Sequence, residues 1–168
     1  MIKNRTRFLL FLVLSVLWMI VIYSKSAQPY QQQDIKPFLS QQISPETLQA
    51  LLPHIEFSYN GQQVTYTKPY SMLEFFIRKG GHVTEYFILA ALFWGTLTTT
   101  RLRTRSAFLL SFALAVLYAA TDEYHQTFVP NRTGQLVDLY VDASGALLAL
   151  LLLFILKIRR DKKASASL

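Results

Sequence analysis

From Ala146 to Leu156 the chain reads ALLALLLLFIL, without one polar side chain, inside an apolar run that extends from about Leu136 to Ile158. A run of that character matches the roughly 20 residues a helix needs to cross the hydrocarbon core of a bilayer. There every backbone polar group has to be bonded internally, which leaves helices and closed barrels as spanning structures. Three further segments approach the same length: 8–23, 82–99 (through EYFILAALFWGTLTT) and 107–121. The expected fold is therefore an all-α membrane protein with four transmembrane helices at about 8–23, 82–99, 107–121 and 136–158. It forms one domain over 1–168, with a polar segment over 24–81.

Composition agrees, because 52% apolar against 16% charged residues is richer in apolar side chains than an ordinary soluble domain. The net charge of +7 invites comparison with nucleic-acid binders, but the basic residues flank apolar runs and form no patch interleaved with aromatics. Nucleic acid is thus not an expected partner. With no cysteine, disulfide and thiolate chemistry are excluded.

Short cytoplasmic loops collect Lys and Arg, and that rule orients the chain. With an inner N-terminus, the inner segments hold Lys3, Arg5, Arg7, Arg101, Arg103, Arg105, Lys157, Arg159, Arg160, Lys162 and Lys163, eleven of the 17 basic residues. Nine of the ten carboxylates then fall on the outer side or at outer helix ends, Asp161 being the exception. The reading is a multi-pass protein of the bacterial cytoplasmic membrane with both termini cytoplasmic. The first span also fits a cleaved leader, since small residues (Ser24, Ser26, Ala27) follow it. Its length and the belt aromatics Trp18 and Tyr23 favour a retained anchor.

In the outer segment, Ser44 can cap a short helix with Pro45 at its first position, and Pro53 ends the run. From Ile55 to Tyr66 apolar and polar residues alternate around Asn60 and Gly61, the pair a two-residue hairpin turn demands. In that register Ile55, Phe57, Tyr59, Val64 and Tyr66 share one face. Ser71 and Glu74 form a capping box for an interfacial helix with Leu73, Phe76 and Ile77 as its apolar stripe, and Gly80 and Gly81 let the chain bend into the second span.

Ionisable residues in membrane helices are costly, and they face a bundle interior or a watery cavity. Here they gather at the outer ends. Lys79, His82 and Tyr86 follow one stripe, with Glu85 beside His82; Asp122, His125 and Gln126 share a face; Asp138 and Asp142 lie one turn apart; Arg132 sits in the loop between. Asp138, Glu123 and His125 also have ordinary explanations as caps or interfacial residues. Asp142 lies deeper, where an unpaired carboxylate is expensive, so it requires Lys79, Arg132 or His82 as a partner. A His beside a carboxylate can act as general base, while Lys and Arg can clamp a phosphate or carboxylate. His82, Glu85, Asp122 and Asp142 can alternatively ligate a divalent metal. No HExxH signature, phosphate loop or nucleophilic Ser motif is present, so no metal or cofactor is assigned.

At these spacings Lys79, His82, Glu85, Tyr86, Asp122, Glu123, Gln126, Phe128, Pro130, Arg132, Asp138, Asp142 and Gly145 together resemble the VanZ-like family. The chain departs from the family pattern at Asn131 and Ala149, where Gly is frequent, and at Asp142, where Asn is common. The resemblance implies a polytopic membrane protein whose name-giving member lowers susceptibility to the glycopeptide teicoplanin; it brings no established reaction.

The functional expectation is a link to teicoplanin-type resistance or envelope-lipid handling through an outer-face polar site. His82, Glu85, Asp122 and Glu123 are the catalytic candidates, and Lys79, Tyr86, Gln126, Arg132, Asp138 and Asp142 the substrate-binding ones. The expected partners are membrane lipids and a lipid-linked envelope precursor or lipoglycopeptide. Three readings compete: an outer-face hydrolase or transferase, a non-catalytic module binding an anionic lipid or lipoglycopeptide, and a salt-bridge network that only fixes helix packing. A transporter is disfavoured because no polar path crosses the middle of the helices.

Overall fold

The computed structural model describes residues 2, 4–132 and 134–166, so Lys3, counted above among the inner cations, lies outside the described residues. Seven helices and one hairpin follow in order: α1 (Arg5–Ser26), α2 (Tyr30–Gln33), α3 (Lys36–Gln42), α4 (Pro45–Leu51), β1 (Glu56–Tyr59), β2 (Gln62–Thr65), α5 (Pro69–Thr98), α6 (Thr104–Gln126) and α7 (Leu136–Ala166). Three of them, α1, α6 and α7, are long and apolar enough to cross a membrane. The second apolar segment is the exception: it forms the C-terminal part of α5, where His82, Glu85 and several threonines dilute its apolar character.

α5 is nevertheless the centre of the bundle, packing against α1, α6 and α7. Its C-terminal half runs antiparallel to α1, since Ile2 bridges Thr100 at one end while Lys25 pairs with Glu85 at the other. Small residues let the helices approach closely, a habit of membrane bundles. Ala90, Ala107, Ala115, Ala146 and Ala149 form the shared core with Trp94 and Leu150, and Gly95 sits under the Phe11 ring. At Gly145 the backbone of α7 meets that of Val83 in α5 with no room for a side chain. Large apolar residues such as Leu9, Val13, Leu17, Leu109, Leu117 and Leu148 point outward, as lipid-facing positions do.

The polar segment holds three short helices where one was expected, and α4 is the predicted one, with the Ser44 hydroxyl accepting from the Thr47 N–H at 3.3 Å. The hairpin forms in the predicted register: Phe57 pairs with Val64 and Tyr59 with Gln62, and Asn60 (φ 49°) and Gly61 (φ 78°) take the positive angles of the turn. Phe57 and Tyr59 pack edge-on against Phe75 at 5.6 and 5.1 Å between centroids. Ile55, expected on the same face, is exposed.

The interfacial helix and its bend are not seen. α5 begins at Pro69 and continues unbroken through Gly80 and Gly81, so Ser71 lies within the helix and caps nothing. The reason is Glu74: its carboxylate is buried and accepts from the Tyr30 hydroxyl at 2.9 Å, so it cannot reach back toward the helix start. The expected stripe is accordingly turned out, with Phe76 and Ile77 exposed, while Met72 faces inward.

Candidate functional site

At the end of the bundle that carries the hairpin, four helices and the α6–α7 loop bring ionisable groups together. α5 contributes Arg78, Lys79, His82 and Glu85 on successive turns. α6 contributes Asp122, Glu123 and Gln126 from its last turn, all buried, and α7 contributes Asp138 and Asp142. Of the three partners open to Asp142, the geometry selects His82, whose Nδ1 lies 3.0 Å from Asp142 Oδ1. Asp142 is fully buried beneath it, and its Oδ2 has no hydrogen-bond partner among the described residues.

The other expected members have separate partners. Lys79 is bound to Asp138, which also accepts from the Tyr59 hydroxyl at 2.5 Å, so the hairpin is tied to α5 and α7 at one carboxylate. Burial and that carboxylate push the Tyr59 hydroxyl well above its ordinary pKa. Glu85 turns away from His82 to bind Lys25 of α1, and its backbone carbonyl accepts from the Trp18 indole at 2.9 Å. Glu123 accepts from the Gln135 backbone N–H at 2.8 Å, and Gln126 donates to Asp122 at 3.2 Å. Tyr86 is fully buried one turn below His82, packed with Ile22, Leu89 and Ala119, and lines no cavity at this end. His125, expected on the Asp122 face, instead stacks on Tyr23 at 4.6 Å.

Two cavities, of about 270 and 360 Å³, open onto this cluster, and Arg78, His82, Gln126 and Arg132 line both. The smaller adds Asp122 and Lys25 and the apolar side chains of Ile22, Ile35 and Ile77. Arg132 donates to Gln33 of α2, yet its Nε is buried without a partner among the described residues, and so is Nη1 of Arg78. Arg78 also lies over the Tyr30 ring, 5.0 Å from its centroid. Burial, together with the facing Arg78 guanidinium, lowers the pKa of Arg132 from its ordinary value. The two guanidiniums, each with a buried nitrogen left without a partner among the described residues, line the same cavities as the carboxylate-bound histidine, and a guanidinium is the side chain best suited to pair with carboxylate or phosphate.

Four of these residues were not singled out from the sequence. Arg78 had a signal, since Arg78, His82 and Glu85 follow i, i+4, i+7 on α5. Lys25 stands at the α1 end opposite the basic cluster, a place where the positive-inside pattern puts few cations. Gln33 and Tyr30 carry no local signal.

The sequence profile of the family described as VanZ/LLP1 matches residues 11–157. No curated protein and no solved structure matches the chain. The matched stretch includes both cavities' charged residues and Asn131, whose φ of 57° is a conformation usually given to glycine and, among other residues, most often to asparagine.

Proposed function

This chain belongs to the VanZ/LLP1 family, and from that premise we propose that it is a bacterial cytoplasmic-membrane protein of glycopeptide resistance or envelope-lipid handling. In this reading it holds the anionic head group of a lipid-linked envelope precursor at the hairpin end of its bundle. The observation that carries the reading is the pair of unspent guanidinium donors, on Arg78 and Arg132, in cavities that also have apolar walls. A phosphate or carboxylate satisfies those donors, and Ile22, Ile35 and Ile77 suit the first part of a lipid tail. His82, fixed through Nδ1 by Asp142, and Asp122 stand at the same cavity wall for proton transfer. Lys79, Asp138, Lys25 and Glu85 hold the hairpin and α1 in place around them.

Arg132→Gln and Arg78→Gln are each expected to remove the protection against teicoplanin that the wild type gives a susceptible host, at equal membrane levels. Arg103→Gln, at the other end, is expected to keep it. Protection retained by both cavity variants rejects the reading.

The proposal includes four spans, with α5 crossing beside α1, α6 and α7, α1 retained as an anchor, and both termini cytoplasmic. The antiparallel run of α5 along α1 supports it, because contacts with both ends of α1 bracket residues 85–100 of α5, about 16 residues or roughly 24 Å at 1.5 Å each, most of the thickness of a hydrocarbon core. The chain has no cysteine, so single-cysteine labelling is clean. Ser58→Cys in the hairpin should react with an impermeant maleimide in intact cells, whereas Leu102→Cys and Ser165→Cys should react only after permeabilisation. Labelling of Leu102→Cys in intact cells contradicts the fourth span.

A further inference from the structure

His82, Glu123 and Asp142 come from α5, α6 and α7, and one ligand-capable atom of each lies within 4.8 Å of the other two. Two ligands on one tetrahedral or octahedral divalent ion, each at about 2.0–2.2 Å, stand roughly 3–3.6 Å apart. The 3.0 Å between His82 Nδ1 and Asp142 Oδ1 falls in that range.

The charge balance points the same way. Glu74, Glu85 and Asp138 each have a lysine within ion-pair distance. Asp122, Glu123 and Asp142 are buried as deeply, yet among the described residues none has a Lys or Arg nitrogen within 4.0 Å. Asp142 adds an independent sign, a wholly buried carboxylate oxygen left without a hydrogen bond among the described residues. Buried carboxylates without such a partner are stabilised by a cation close by or by taking up protons, and a divalent ion does the first for several at once.

We propose that His82, Glu123 and Asp142 hold a divalent transition-metal ion, of the zinc or manganese type, at the junction of α5, α6 and α7. One imidazole and two carboxylates suit such ions, and neutralise a double charge. Three protein ligands leave a coordination position open, and of the three His82 lines the cavities that Arg78 and Arg132 also line. The set differs from the His82, Glu85, Asp122 and Asp142 that the sequence offered: Glu85 is engaged by Lys25, Asp122 accepts from Gln126, and Glu123 joins His82 and Asp142 instead. Any use of the ion on a head-group phosphate rests on the function proposed above; its binding does not.

The test uses the full chain in detergent, carrying no polyhistidine tag, equilibrated with Zn²⁺ or Mn²⁺ alone and freed of excess metal. Elemental analysis is expected to find stoichiometric uptake of at least one of the two metals by the wild type. Glu123→Gln and Asp142→Asn should each weaken uptake by at least about 10²-fold, more than the loss of an outer-shell partner causes, and Asp161→Asn should not. Pulsed EPR on the Mn²⁺-loaded wild type should show imidazole nitrogen coupling that disappears in His82→Gln, a readout that needs no activity. Absence of stoichiometric uptake of either metal overturns the proposal, because protons then balance the carboxylates. So does uptake unchanged in both carboxylate variants, or bound Mn²⁺ without nitrogen coupling. Failure of the arginine variants to alter teicoplanin protection rejects the function and leaves this site standing.

Discussion

Gly145→Ala is expected to destabilise the protein by about 1–3 kcal/mol, the range for forcing a methyl group into a packed interface. A Cβ at Gly145 comes to 2.9 Å from the carbonyl carbon and Cα of Val83, and closer still to its oxygen. Those atoms belong to helical backbone and have no rotamer by which to yield, so α5 and α7 have to part. The opening falls where it does most harm, since Val83 follows His82 and Gly145 lies one turn beyond Asp142. The His82–Asp142 bond should lengthen with it, and teicoplanin protection should fall further than the loss of folded protein explains. Gly80 is the internal comparison, because a Cβ there meets nothing within 4 Å. Gly80→Ala in mid-helix is expected to raise stability by roughly 0.5–1 kcal/mol. Thermal unfolding in detergent checks both, and equal effects from the two substitutions contradict the account of the α5–α7 contact.

His82→Ala is expected to abolish function while leaving the bundle assembled. His82 lines both cavities, and imidazole is the side chain whose ordinary pKa lies nearest neutral pH. Loss of a positioned general base or acid lowers a rate by roughly 10²–10⁴. The substitution also strips Asp142 Oδ1 of its partner, a cost of about 1–3 kcal/mol for a buried acceptor left unmade. Asp142→Asn separates the two effects, since the amide can still bond the imidazole without carrying its charge. Membrane levels measured alongside teicoplanin susceptibility decide the matter. Full protection by His82→Ala at wild-type abundance removes His82 from the chemistry.

What the sequence made legible was whatever is decided within one element. Asn60 and Gly61 carry their own φ requirement, so the hairpin and its register follow from the alternation around them. Ser44 and Pro45 likewise mark α4. The same local reasoning went astray at Ser71 and Glu74, whose capping-box spacing is real but whose carboxylate is taken by Tyr30, 44 residues away. Helical spacing correctly put His82, Asp122, Asp138 and Asp142 at one end, and named His82 among three partners for Asp142. It grouped Glu85 with His82 because the two are three apart, whereas the structure gives Glu85 to Lys25, 60 residues distant. Such pairings depend on how closely helices cross, and that is set by contacts like Gly145 on Val83, which no periodicity records. Arg78 was legible in principle, standing one turn before His82 on the same stripe, but its unspent guanidinium is visible only once the loop brings Arg132 opposite.

The function proposed for the hairpin-end cluster has a lipid-linked anionic component of the envelope as its target. Mass-spectrometric profiling of lipids and envelope precursors tests it most directly, in cells carrying wild type, His82→Ala or no protein, at matched membrane levels. The abundance of a lipid-linked phosphate or carboxylate species is expected to change with the wild type and to return to the protein-free level with His82→Ala. A profile that is the same in all three, or that wild type and His82→Ala alter alike, contradicts it.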